Sequence, residues 1–140
     1  MAKRNTRTGQ VLEQMIVPAL RQGGYECKEQ EVIGERLRSG RHKIDVLASK
    51  GGRKILVSVK WQQTSGTTEQ KVPFEVISLV EALDSGRYEK AYLVLGGTGW
   101  KKPLMEFYLS GGLNRFIPDA TKVEILGFET FVVRANQGKL

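Results

Sequence analysis

The apolar and polar positions along the chain change period several times. Between Gly9 and Gln22, Leu12, Met15, Ile16, Ala19 and Leu20 recur at three- and four-residue spacing and Gly23-Gly24 follows, which predicts a helix. Pro18 falls inside it and removes one backbone hydrogen bond, so a kink is expected. The stretch from Tyr25 to Leu37 is charged around Val32 and Ile33 and reads as a strand or an extended arm, closed by a turn at Ser39-Gly40. His42 to Ser49 and Lys54 to Trp61 are short and β-branched. The Lys50-Gly51-Gly52-Arg53 turn between them predicts a hairpin.

A polar loop, Gln62 to Gln70, leads to Lys71-Val72-Pro73, and Pro73 suits the first turn of a helix, where its missing N–H costs nothing. Val76, Ile77, Leu79, Val80 and Leu83 give that helix its buried face, and Ser85-Gly86 ends it. Lys90 to Leu95 reads as a buried strand. The GGTGW stretch at 96 to 100 lacks the Lys-Ser/Thr of a phosphate-binding P-loop and reads as a strand-to-helix connection. A short helix from Pro103 to Leu109 follows, then a break at Gly111-Gly112. Val123 to Leu126 and Phe128 to Val133 look like one or two last strands. This order predicts a single α/β (α+β mixed) domain over residues 1–140, a central mixed sheet with helices on its faces.

Composition narrows the partners. With 22 Lys and Arg against 15 Asp and Glu the chain carries +7, and its pI is near 9.7, which favours a polyanion such as DNA. A basic arm over residues 1 to 8, with Lys3, Arg4 and Arg7, would reach a phosphate backbone. Cys27 is the one cysteine and His42 the one histidine, so an intrachain disulfide and a zinc-ligand cluster are out of reach. Any histidine chemistry must run through His42. No apolar run approaches a membrane span and no apolar leader opens the chain, so a cytoplasmic protein is expected.

The candidate chemistry lies between Lys43 and Glu75. Period-2 alternation puts Ser58 and Lys60 on one face of the second hairpin strand, with Ile55, Val57, Val59 and Trp61 on the other. Asp45, between Ile44 and Val46, is expected to project opposite those neighbours and to approach the Ser58/Lys60 end. An ordinary Asp–Lys cross-strand pair would produce the same pattern. Glu13, beside the apolar stripe of the first helix, is a candidate for the edge of a site.

Asp45, then twelve residues, then Ser58-Val59-Lys60, with Glu13 on a preceding helix and Glu75 opening the following one, resembles the PD-(D/E)xK nuclease superfamily. Two residues depart from its pattern. Ile44 stands where Pro is usual, and Ser58 replaces the Glu of Glu-x-Lys, costing a hard-cation ligand. The chain looks like the restriction-enzyme variant with Ser-x-Lys and its carboxylate moved to the next helix. The resemblance implies a restriction-endonuclease-like fold and a magnesium-dependent DNA endonuclease, manganese being a possible substitute, with no small-molecule cofactor. Restriction- or homing-type cleavage of duplex DNA, resolution of branched DNA, and a DNA-binding protein that kept the fold without the chemistry all suit it.

On that resemblance Asp45 is the central metal ligand, Glu75 the relocated carboxylate, and Glu13 an outer or second-ion ligand. Lys60 orients or activates the attacking water and offsets developing charge. Ser58 either holds a metal-bound water or simply makes room for Glu75, and Glu69 is the rival to Glu75. Gln62 and Gln63 follow the catalytic strand, where an amide can orient a water. Lys71, Thr67 in the Ser65-Gly66-Thr67-Thr68 run, Trp100, Lys101, Lys102 and Arg7 are candidate DNA contacts. Cutting two strands requires two sites, so a homodimer or higher homo-oligomer is expected.

Overall fold

The first helical run, α1 (residues 7–22), is two α-helical pieces, Arg7–Val11 and Val17–Gln22, joined by a π-turn over Leu12–Ile16. Pro18 accounts for the widening. Its ring would press on the carbonyl four residues back and its nitrogen has no proton to donate, so the Val17 N–H reaches five residues back to the Leu12 carbonyl. The expected kink is thus a π-turn. A computed structural model describes residues 7–140; Lys3 and Arg4 of the expected arm lie outside the described residues, and Arg7 and Thr8 are helical.

Five strands follow: β1 (Glu26–Glu35), β2 (Arg41–Lys50), β3 (Arg53–Trp61), β4 (Lys90–Gly96) and β5 (Val123–Gly127). They lie side by side in chain order, β1–β2–β3 antiparallel and β3–β4–β5 parallel. Parallel neighbours need crossovers. The first carries α2 (Val72–Asp84), and the second carries α3 (Lys102–Leu109) with two short 3-10 turns, Gly112–Arg115 and Ala120–Lys122. α4 (Phe128–Asn136) follows β5 directly. The result is a mixed five-stranded sheet with helices on both faces, an α+β fold.

Two cores sit on opposite faces. Leu12, Ile16 and Leu20 of α1 and Phe131 and Ala135 of α4 pack on Val46, Ile55, Val57 and Val94. Val72, Val76 and Leu79 of α2 pack on Leu56, Leu93 and Leu95, with Tyr108 and Leu113 from the second crossover. β4, covered on both faces, is buried along almost its whole length, which explains why KAYLVL shows no alternation. β1 is an edge strand, and Lys28, Glu29, Glu31 and Glu35 along it discourage pairing with another sheet.

One element differs in type from expectation. Phe128 to Val133 is helix, not strand. Phe128, Phe131, Val132 and Ala135 face the core at three- and four-residue spacing, and that buried stripe outweighs the β preference of the Phe-Val-Val run.

Candidate active site

The β2–β3 ladder runs from the Lys50–Arg53 pair to the Val46–Val57 pair and stops there. The next residue of β2 is Asp45, and the strand changes phase at it. Ile44 and Leu47 pack toward α2, whereas Val46 and Ala48 pack toward α1. The expectation that Ile44 and Val46 share a face opposite Asp45 is therefore corrected. The irregularity extends to β1, where Gln30, between the Glu29–Val46 and Glu31–Ile44 pairs, has φ +58°. Asp45 Oδ2 accepts the Val59 N–H at 2.8 Å, so the carboxylate takes up a donor on β3 just beyond the end of the ladder.

Beyond this point a cleft of about 270 Å³ opens. Asp45, Lys60 and Trp61 line it from the sheet, Thr8 from α1, and Thr68 and Lys71 from the 3-10 turn Thr68–Lys71 that precedes α2. Asp45 and Lys60 are both half-buried, close enough to solvent to meet a substrate.

Glu75, in the first turn of α2, is outside the lining of this cleft and only 3% exposed. Ser58 Oγ donates to Glu75 Oε2 at 2.5 Å, Arg36 Nη2 is 3.1 Å from Oε1, and His42 Nε2 is 3.9 Å from Oε2, within ion-pair reach but beyond a hydrogen bond. Burial pushes the Glu75 carboxyl up. The His42 ring, Lys60, Ser58 and Arg36 more than offset this and hold it below the usual carboxylate range. Glu75 is thus an ionised carboxylate held against the side chain of position 58, two residues from Lys60 on the same strand.

Other expected residues fall elsewhere. Glu13 sits in the π-turn, exposed and outside the lining of the cleft. Gln62 is buried, and its Nε2 donates to Glu69 Oε1 at 2.9 Å and to the Gly99 carbonyl at 2.8 Å, while its Oε1 accepts the Glu69 N–H at 3.0 Å. Both amide protons are committed, so it ties two loops together and has none left to orient a water. Glu69, at the end of the expected polar loop, is 2% exposed in the 3-10 turn, its backbone carbonyl accepting from Tyr108 Oη at 2.7 Å. Gln63 Oε1 accepts the Trp61 indole N–H at 2.9 Å. Trp100 donates to the Gly96 carbonyl at 2.6 Å and packs in the core under α2, which makes it a loop tether. Thr67 is exposed ahead of the 3-10 turn, and Lys101 and Lys102 are exposed at the start of α3; all three lie outside the cleft lining, and Arg7 is exposed at the start of α1.

Three contributors escaped sequence reasoning. Thr8 reaches the cleft because α1 crosses the sheet there. His42 shares the period of Ile44 on β2 and was readable as facing the α2 side. Arg36 carries no sequence signal. The β1–β2 turn folds it over α2, where Glu81 Oε1 accepts the Leu37 N–H at 2.7 Å and Arg87 Nη2 donates to the Ile33 carbonyl at 2.9 Å.

Of the two candidate metal-ligating carboxylates, Asp45 lines the cleft, whereas Glu75 is buried outside its lining with Ser58 on Oε2 and Arg36 on Oε1. A hard cation such as magnesium needs only one or two carboxylates and keeps several waters. Among the described residues no group of three or more His, Cys, Asp or Glu side chains converges, so a cage of protein ligands is not what this donor set offers. No described helix is long and apolar enough to cross a membrane.

A UPF0102 protein from Aquifex aeolicus (strain VF5) is 31% identical over 88 residues, 63% of this chain and 73% of that protein. Among solved structures, a protein of unknown function, AF1548, superposes with a TM-score of 0.50 at 12% identity, over 81% of this chain and 55% of that one. A repair endonuclease from Pyrococcus abyssi gives 0.42 at 16% identity, over 89% of this chain and 46% of that one. The chain therefore spans about half the length of each of these two structures. The family model for the PD-(D/E)XK nuclease superfamily domain matches residues 4–139, so the chain belongs to that nuclease superfamily.

Proposed function

We propose that the protein is a magnesium-dependent endonuclease that hydrolyses phosphodiester bonds in DNA at the Asp45–Lys60 cleft. The observation that carries this reading is the 2.5 Å contact between Ser58 and Glu75. It puts a carboxylate beside the position where the superfamily's usual Glu is replaced, and so answers the main departure of this sequence from the pattern. Asp45 and Glu75 would hold the ion, which when bound supplies Lewis-acid charge and a water of lowered pKa. Lys60 stabilises the charge that grows on the phosphorus oxygens and orients the attacking water. Lys71, Thr8 and Thr68, around the same cleft, suit the binding of flanking phosphates.

Duplex cleavage and branched-DNA resolution both follow from one such centre per chain, and double-strand cleavage calls for two copies, hence a homodimer or higher homo-oligomer. One observation favours a second reading, a DNA-binding protein without the chemistry: Glu75 is already paired with Arg36. A single experiment separates them. Supercoiled plasmid and a four-way junction are each incubated with the protein in magnesium, in manganese and in chelator. Cleavage in metal and none in chelator is expected; intact DNA in every divalent metal would overturn the enzyme reading.

A further inference from the structure

A second cavity, about 440 Å³, opens next to the cleft at the carboxyl ends of β3, β4 and β5, and Trp61 lines both. Its volume falls in the roughly 300–1,000 Å³ range of small-molecule sites. The cavity has an aromatic wall, a polar wall and no cation. Trp61 and Phe128 meet edge to face with centroids 5.4 Å apart, and Met105 adds apolar surface. Gln63 and Thr98 form the polar side and brace the indole. Gln63 Oε1 accepts from Trp61 Nε1, Gln63 Nε2 donates to Thr98 Oγ1 at 3.3 Å, and Thr98 Oγ1 donates to the Gln63 carbonyl at 3.1 Å.

The GGTGW stretch builds this wall. A Cβ on Gly97, whose φ is +95°, would lie 2.2 Å from the Gln62 carbonyl oxygen, and one on Gly96 would lie 2.3 Å from the Trp61 ring. The glycines let the exit of β4 close against the exit of β3 and fix the indole between cleft and cavity.

The charges divide the two spaces. Both lysines, Lys60 and Lys71, line the cleft, whereas the one charged residue lining the cavity is Glu129, which repels a phosphate but accepts a base amino group. The geometry points to a nucleobase pocket: with a phosphate in the cleft, the cavity takes one unpaired base against Trp61. The substrate class is then DNA with an unpaired nucleotide beside the phosphate, such as a flap, gap or branch, rather than uninterrupted duplex. This rests on the nuclease reading for the phosphate in the cleft.

The test is binding without turnover. Fluorescence anisotropy with Asp45→Asn in chelator compares three labelled DNAs of equal length: full duplex, the same duplex with one unpaired thymidine, and the same with an abasic nucleotide at that place. Stacking of one base on an aromatic side chain predicts about ten-fold tighter binding of the thymidine DNA than the abasic DNA. Both share the same backbone flexibility, so the difference reports the base alone. Thr130→Trp, an exposed position at the cavity mouth, should erase the difference while the circular-dichroism spectrum stays native. Equal affinities for thymidine and abasic DNA, or discrimination that survives Thr130→Trp, overturn the pocket. Cleavage is scored separately on wild type, so an active enzyme without base discrimination loses the pocket and keeps the nuclease reading, and an inactive one with discrimination does the reverse.

Discussion

Ser58 decides how the site is read, because a hydroxyl is a poor ligand for a hard cation yet a good donor to a buried carboxylate. Its position, 1% exposed with Oγ on Glu75 Oε2, gives it the second job: it donates to Glu75, the carboxylate proposed as the relocated ligand. Ser58→Ala should therefore destabilise the fold by about 1–3 kcal/mol in urea titrations, since it strips a donor from a buried charge, and should lower cleavage along with it. Glu75→Gln should abolish cleavage, and Glu69→Gln should leave most of it, because Glu69 Oε1 serves Gln62 in the loop. If Glu69→Gln were the damaging change, the rival carboxylate would be the ligand. Asp45, Ser58, Lys60 and Glu75 were legible as a spaced set in the sequence. Arg36 was not, because no local pattern records that the β1–β2 turn folds across α2 to reach Glu75.

At the level of elements, the hairpin, α2 and β4 were readable because each has a clean period or a turn signal at both ends. α4 was misread because its Phe-Val-Val run suits a strand locally, while its helical stripe appears only when the window extends to Ala135. The phase change at Asp45 was invisible for a similar reason: alternation assumes an unbroken ladder, and this one ends at Val46. α4 is joined to the sheet by charge as well as by its apolar face. Arg134 Nη1 donates to Glu124 Oε2 at 2.6 Å, and Lys90 Nζ is 3.0 Å from Glu124 Oε1. Burial pushes the Glu124 carboxyl up, and Lys90 and Arg134 outweigh it, holding the group below its ordinary value of 4.5. A carboxylate depressed in the folded state stabilises above its unfolded pKa, and that stabilisation is lost as pH falls through the folded value. Glu124→Gln should thus be less stable than wild type at pH 7, by at most about 1 kcal/mol for so exposed a network. The gap should close as pH falls below 4.5. A constant gap from neutral to acid pH in urea denaturation would contradict this.

For the molecule as a whole, a charge of +7 favours a polyanionic partner, and on the proposed reading the Asp45–Lys60 cleft is where DNA is held. Lys71→Ala should weaken binding to every DNA alike and reduce the slope of log affinity against log salt by about one phosphate contact. An unchanged slope would remove Lys71 from the interface. The sheet, its two helical layers and the end of the β2–β3 ladder bring Asp45 and Lys60 to one cleft and set Glu75 against Ser58, and the proposal to be tested is that DNA is cut there. The most direct measurement is the single-turnover cleavage rate in magnesium of Asp45→Asn beside wild type, with the melting temperature of each. A rate lower by more than about a hundred-fold is expected, at a melting temperature changed by only a few degrees. A rate within a few-fold of wild type would contradict the proposal.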